Sequence, residues 1–258
     1  MYNHPPDNFL YSAYRILTVH SDGQKRIEGT ATGFVLALKN GMPFLITNRH
    51  VIDKNFGRAD TKYKDFKLCE ISVTSRSQDD IEYKISFDLN SEFYTHNNDL
   101  NDVVMIRPFI KAGENYTFHF HFTIEHLGTK NIFTEIQAYD LICFAGFPQT
   151  HDKLMGRPIL RRGTISSDPK YNYSWDKTNH GDCIAYDGFS SEGASGSPIF
   201  APPRGMNGMI NSRHGYLIGV NAGHVPENFG HSGISYFYKS TVIEEIIEQN
   251  NLEALASL

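Results

Sequence analysis

From Tyr14 onward, short runs of β-branched and aromatic residues alternate with Gly, Asn, Asp and Pro clusters at the spacing of strands and turns. The runs predict strands at Arg15–Val19, Thr32–Leu38, Phe44–Thr47, Glu70–Thr74, Ile81–Phe87, Val103–Ile106, Asp140–Phe144, Tyr216–Val220 and Gly233–Tyr238. This is not the strand–helix alternation of α/β proteins, so the pattern predicts an all-β sandwich or barrel. One helix is expected at each end. Pro5-Pro6-Asp7 followed by Asn8–Tyr14 predicts a short N-terminal helix. Thr241 and Glu244 form a capping-box pair ahead of Val242, Ile243, Ile246 and Ile247 at helical spacing, which predicts a C-terminal α-helix against the β core. Lys111–Asn131 has no clear period and is expected to join two halves, 1–115 and 116–258.

Composition narrows the functional classes. The 258 residues suffice for one large domain or two modest ones. With 24 basic against 29 acidic side chains and no basic cluster, a nucleic-acid partner is not expected. No apolar run approaches the ~18 residues of a membrane span, so no membrane partner is expected either. The start MYNHPPDNFLYSAYR lacks the charged and then apolar layout of a secretory signal. Cys69, Cys143 and Cys183 are odd in number and widely spaced, which suits a reducing compartment and predicts a cytoplasmic protein. His119-Phe120-His121 with His126 nearby suggests a metal site, but alternation on a half-buried strand explains it, and no metal or cofactor is expected. Cys183 is expected to be a small core residue.

Three local patterns carry candidate chemistry. His50 closes the apolar run Phe44–Thr47, a place where a structural His is commoner than a catalytic one. Asp102 opens the apolar run Val103–Ile106, where by itself it reads as a turn residue. Ser195 lies in Gly193-Ala194-Ser195-Gly196-Ser197-Pro198, a sterically open segment whose backbone can turn N–H groups towards a substrate oxygen. Together they change meaning. A Ser hydroxyl needs a base to take its proton, and the base needs a partner that fixes its tautomer.

The order His50, Asp102, Ser195 and the strings around it resemble the trypsin-fold serine peptidases. The nearest pattern is the bacterial trypsin-like group that includes high-temperature-requirement proteases and glutamyl endopeptidases. Gly146-Phe147-Pro148, Arg161–Ile165, Leu217–Gly223 and Val225-Pro226-Glu227-Asn228-Phe229 extend the resemblance over roughly Tyr14 to Glu248. It implies two antiparallel six-stranded β-barrels, an N-terminal one with His50 and Asp102 and a C-terminal one with Ser195. It further implies Ser195 as nucleophile, His50 as base, Asp102 as its orienting partner, and the N–H groups of Gly193 and Ser195 as an oxyanion hole. Asn221, Ala222 and Gly223 would pair with an extended substrate. Asp99 competes with Asp102, but only Asp102 directly precedes the apolar run.

Two departures bear on regulation and specificity. Ala194 stands where secreted relatives carry an Asp that pairs with a new N-terminal amine, so activity without N-terminal cleavage is expected. Phe189 occupies the place of the acid that selects Lys or Arg, and Ser190 matches a hydroxyl used by glutamyl endopeptidases. Asn221 replaces the His with which those enzymes read a carboxylate, although His224 could substitute. The expectation is a serine endopeptidase acting on a protein or peptide after uncharged residues, with Glu as runner-up and room for a regulatory partner. A catalytically silent peptide-binding module and an esterase are the alternatives.

Overall fold

The computed structural model describes residues 8–58, 60–109, 118–205, 209–227 and 230–255. Expectations for residues 1–7, for the 115/116 boundary and for Asn228-Phe229 lie outside the described residues. The N-terminal half contains β1 (Ala13–Ser21), β2 (Arg26–Ala37), β3 (Pro43–Thr47), β4 (Lys67–Arg76), β5 (Glu82–Phe87), β6 (Glu92–Thr95) and β7 (Val104–Arg107). They form an antiparallel sheet in the order β5-β4-β1-β2-β3-β7-β6, and the short β8 (Phe122–Thr123) adds in parallel to β2. This half thus carries more strands than the expected six. The C-terminal half is a closed six-stranded barrel, β10-β11-β14-β13-β12-β9. Its strands are β9 (Leu141–Gly146), β10 (Ile159–Ile165), β11 (Cys183–Asp187), β12 (Pro198–Ala201), β13 (Tyr216–Glu227) and β14 (Gly230–Lys239).

Three apolar clusters explain why several strands read as unbroken apolar strings. Leu45 and Val35 face the interior of the N-terminal sheet with Ile16, Ile71 and Val104. Their neighbours Phe34, Leu36, Phe44 and Ile46 face the opposite way and pack with Ala145, Phe147, Phe200 and Val220 between the halves. In the barrel, Ile142 and Phe144 point inward while Cys143 and Ala145 join the interface. Strands buried on both faces lose the polar half of the two-residue period.

Both terminal helices differ from expectation in detail. Asn8–Tyr14 gives only a single 3-10 turn, Phe9–Ser12, before β1 begins at Ala13. Strand pairing wins there: Tyr14 pairs with Gly33, and its buried hydroxyl donates to the Phe120 carbonyl at 2.7 Å. The C-terminal helix α2 (Thr241–Gln249) buries Val242, Ile243, Ile246 and Ile247. Its N-cap is Ser240, however, which makes no side-chain cap bond and donates to the Gly128 carbonyl instead, so the Thr241–Glu244 box does not form. A box does form at Thr123 and His126. His119-Phe120-His121 is not a strand, because β8 starts only at Phe122. Among the described residues no helix is long and apolar enough to cross a membrane.

Candidate active site

His50 sits on α1 (Arg49–Ile52), a single helical turn directly after β3. Asp102, which just precedes β7, meets it with both oxygens. His50 Nδ1 lies 2.6 Å from Asp102 Oδ2, and the His50 backbone N–H donates to Oδ1 at 2.9 Å. A carboxylate can only accept, so Nδ1 carries the hydrogen and Nε2 presents a lone pair. Asn48 completes the arrangement by donating from Nδ2 to the Asp102 carbonyl at 2.7 Å. The competing Asp99 is exposed and pairs with Arg49 at 2.8 Å. Of the two acids, the structure brings Asp102 to His50.

Ser195 lies on the tight loop between β11 and β12. Gly193 (φ 88°) and Gly196 (φ 86°) are left-handed, and a Cβ on them would stand 2.4 Å from the Phe147 carbonyl and 2.0 Å from the Thr32 carbonyl respectively. Only glycine fits either position. Strand β2 crosses this loop: Thr32 N–H donates to the Ser195 carbonyl, and Thr32 Oγ1 donates to the Gly193 carbonyl at 2.7 Å. The Glu192 carbonyl accepts from Gln149 N–H at 3.0 Å. Because the peptide is planar and trans, Gly193 N–H points the other way. Neither it nor Ser195 N–H donates to an acceptor among the described residues.

The Ser195 hydroxyl donates to the Ala222 carbonyl at 3.0 Å, and no hydrogen bond joins it to His50. The structure therefore pairs His50 with Asp102 and holds the Ser195 Oγ on strand β13. Beyond Val220, β12 no longer pairs with β13, and one edge of that strand opens at Ala222. Asn221 does not share this edge, since its N–H and carbonyl bond Ser197 and Gly196. Among the described residues the open edge therefore begins at Ala222 and continues through Gly223 and the exposed His224.

The residues expected around the primary pocket divide. Phe189 is 55% exposed and lies under the Arg161 guanidinium, which also bonds its carbonyl, so it does not form a pocket floor. Ser190, Asn221 and Ser235 are buried and bonded to one another and to Tyr186. Asn221 Oδ1 accepts from the Tyr186 hydroxyl at 2.7 Å, while Nδ2 donates to Ser190 Oγ and the Ala194 carbonyl, both at 2.9 Å. Ser190 N–H donates to Ser235 Oγ. Burial pushes the Tyr186 phenol well above its ordinary range and keeps it neutral. This buried cluster is polar and uncharged.

Sequence reasoning missed a cavity of about 580 Å³ beside His50 and Asp102, lined further by Leu100, Trp175, His180 and Tyr236. The signal was faint but present: Trp175 is the sole tryptophan, set in a polar loop. Burial pushes the Cys143 thiol up to about 12 and Cys183 up to about 11, so neither is a reactive thiolate at neutral pH. Among the described residues no group of three or more His, Cys, Asp or Glu is arranged to hold a metal ion.

The family model described as the trypsin-like peptidase domain matches residues 31–206. No curated protein sequence matches the chain. Among solved structures, an HtrA-type protease with a tripeptide is similar over 98% of this chain at 15% identity and TM-score 0.57. The same type of protease with a decapeptide is similar over 96% of the chain at 15% identity and TM-score 0.59. The chain spans 64% and 66% of these two structures, just under two thirds of their length. The crystal structure of Deg5 is similar over 96% of this chain and 91% of its own length, at 16% identity and TM-score 0.54.

Proposed function

Because this chain belongs to the trypsin-like peptidase domain family, we propose that it is a serine endopeptidase in which Ser195, His50 and Asp102 act as the triad. The observation that carries the reading is Asp102 holding His50 by two hydrogen bonds, 2.6 and 2.9 Å, while Nε2 bonds none of the described residues. Ser195 Oγ attacks the scissile carbonyl while His50 Nε2 takes its proton and later delivers it to the leaving amine. Asp102 keeps the imidazole in the productive tautomer and stabilises its charged form. The N–H groups of Gly193 and Ser195 receive the oxyanion, each worth ~3 kcal/mol of barrier. An extended peptide pairs with the open edge at Ala222–His224 as an added strand.

Small uncharged residues fit the floor made by Ser190, Asn221 and Ser235. A buried substrate cation would find no carboxylate there. A buried carboxylate would find Asn221 Nδ2 already serving two acceptors, with the uncharged Ser190 hydroxyl as the donor on offer and no cation beside it. This favours uncharged residues over Glu before the cut. One observation favours the alternative of a silent peptide-binding module: the Ser195 hydroxyl rests on Ala222 and not on His50. The same triad chemistry would also serve an esterase. The reading includes a reducing, cytoplasmic setting, supported by three free thiols of which two are buried.

A fluorophosphonate probe tests the assignment. It is expected to label Ser195 in the wild type, and both Ser195→Ala and His50→Ala should abolish labelling and peptide cleavage. Labelling that survives Ser195→Ala would remove the nucleophile assignment. Complete inertness of the wild type towards both probe and peptides would leave the binding module.

A further inference from the structure

We infer that the cavity beside His50 selects a large aromatic side chain at the residue just upstream of the one that fills the primary pocket, with Trp175 as the specificity-determining residue. The inference rests on the proposed peptidase reading. Side chains of an extended strand alternate between its two sides. A substrate paired along Ala222–His224 with one side chain over Ser190 and Asn221 therefore turns the preceding one away from that floor, towards His50. The space it enters is the cavity of about 580 Å³, several times the size of a small aliphatic side chain.

The walls are aromatic and set in advance. Trp175 and His180 stack at 3.5 Å with 8° between their planes, and the Tyr236 ring lies 4.9 Å from Trp175. The turn that carries the stack is tied internally. Asp176 Oδ1 accepts from His180 Nε2 at 2.7 Å and from Thr178 N–H at 3.0 Å, while Ser174 Oγ donates to the Thr178 carbonyl. On the facing side Leu100 offers apolar surface and is 42% exposed. The rim is unsuited to a basic side chain. Lys54 and Arg58 face the cavity, Asp102 is engaged by His50, and Asp99 is engaged by Arg49. An aromatic side chain buries far more apolar surface against this wall than an aliphatic one and adds ring–ring contacts.

The test reads cleavage and binding separately. A proteome-derived peptide library digested by the wild type is expected to show aromatic residues at the upstream position favoured about tenfold over Ala, the discrimination an apolar pocket supplies. Trp175→Ala, and independently Leu100→Arg on the facing wall, should flatten that preference while the ranking at the primary pocket persists. In parallel, Ser195→Ala protein is titrated with pentaalanine and with the same peptide carrying one Phe, following Trp175 emission, which reports from the only tryptophan in the chain. The Phe peptide should bind about tenfold more tightly and shift the emission. Cleavage with a flat upstream profile, or a preference that survives both substitutions, overturns the inference. A Phe-dependent shift without any cleavage by the wild type retains the cavity assignment and removes the peptidase reading. Equal titrations with both peptides overturn the cavity assignment itself.

Discussion

The N-terminal sheet delivers its two site residues already joined, whereas the C-terminal barrel delivers its own held apart by backbone. Asp102 grips His50 through both a side-chain and a main-chain bond. Ser195 Oγ is parked on the Ala222 carbonyl, and the loop around it is fixed by contacts from Thr32 and Gln149. The difference separates two kinds of preparation. The proposed base is positioned by its partner, but the proposed nucleophile and oxyanion donors are positioned by the covalent geometry of a glycine-punctuated loop. The Ala222 carbonyl lies on the edge proposed to receive substrate, so an incoming peptide competes for the acceptor that restrains the hydroxyl. On the proposed reading, reactivity and substrate pairing share one atom.

Breaking the N-terminal arrangement is expected to have the largest effect. Asp102→Asn keeps the shape but puts an amide donor opposite Nδ1, so the imidazole carries its hydrogen on Nε2 and cannot accept from Ser195. Turnover should fall about 10⁴-fold with folding retained, measured as kcat beside the circular dichroism spectrum. A fall below tenfold would show that His50 is not oriented by Asp102.

The counterpart on the barrel side is Gly193→Ala. Its Cβ would stand 2.4 Å from the Phe147 carbonyl at a φ of 88°, so the peptide that presents the proposed oxyanion donor must move. Loss of that donor should lower kcat about 10²- to 10³-fold. The low-field Nδ1 proton of His50 in NMR spectra should persist, because the N-terminal pair is untouched. Its loss would mean that the two halves are not prepared independently. A smaller change sharpens the same point. Gln149 also holds Glu192 through its side-chain amide. Gln149→Ala removes that bond and spares the main-chain one, so kcat should drop only roughly fivefold with KM nearly constant, the worth of about 1 kcal/mol.

How much of this was legible in the chain follows the range of the interactions concerned. The strings around His50, Asp102 and Ser195 were readable because strand ends and a glycine elbow are local features. The direction of the Ser195 hydroxyl was not, since its acceptor lies on β13. Asn221 was read as an edge residue, but its amide is consumed by Tyr186, Ser190 and Ala194 on β11 and the loop after it, far from Asn221 in the chain. The N-terminal helix is shorter than the sequence pattern suggests, a single turn at Phe9–Ser12, because Ala13 and Tyr14 gain more from pairing with Phe34 and Gly33 than from local helix propensity. The Trp175 cavity is assembled from both halves and leaves only the lone tryptophan as a local trace.

The smallest expected effect is on stability, and it again separates the halves. His20 and His119 both belong to the N-terminal side. His20 Nε2 bonds the Ile52 carbonyl at the end of the turn that carries His50, and His119 Nε2 bonds the Tyr11 carbonyl. In each ring Nδ1 is buried without a hydrogen bond among the described residues. Desolvation lowers both pKa values below the ordinary 6.5, because a second proton would place a cation with an unpartnered N–H inside the sheet. A histidine whose folded pKa is lowered contributes stability that is fully present above the unfolded value. That contribution is lost as pH falls through the folded value, where the unfolded chain has already taken up its proton. Between pH 7.5 and 5.5 the amides of β1 and β4, corrected for intrinsic exchange, should therefore lose protection while those of β11–β14 change less. His119→Phe should blunt the loss in β1. Equal loss of protection in both halves would show that acidification acts on the whole molecule and not through these two rings.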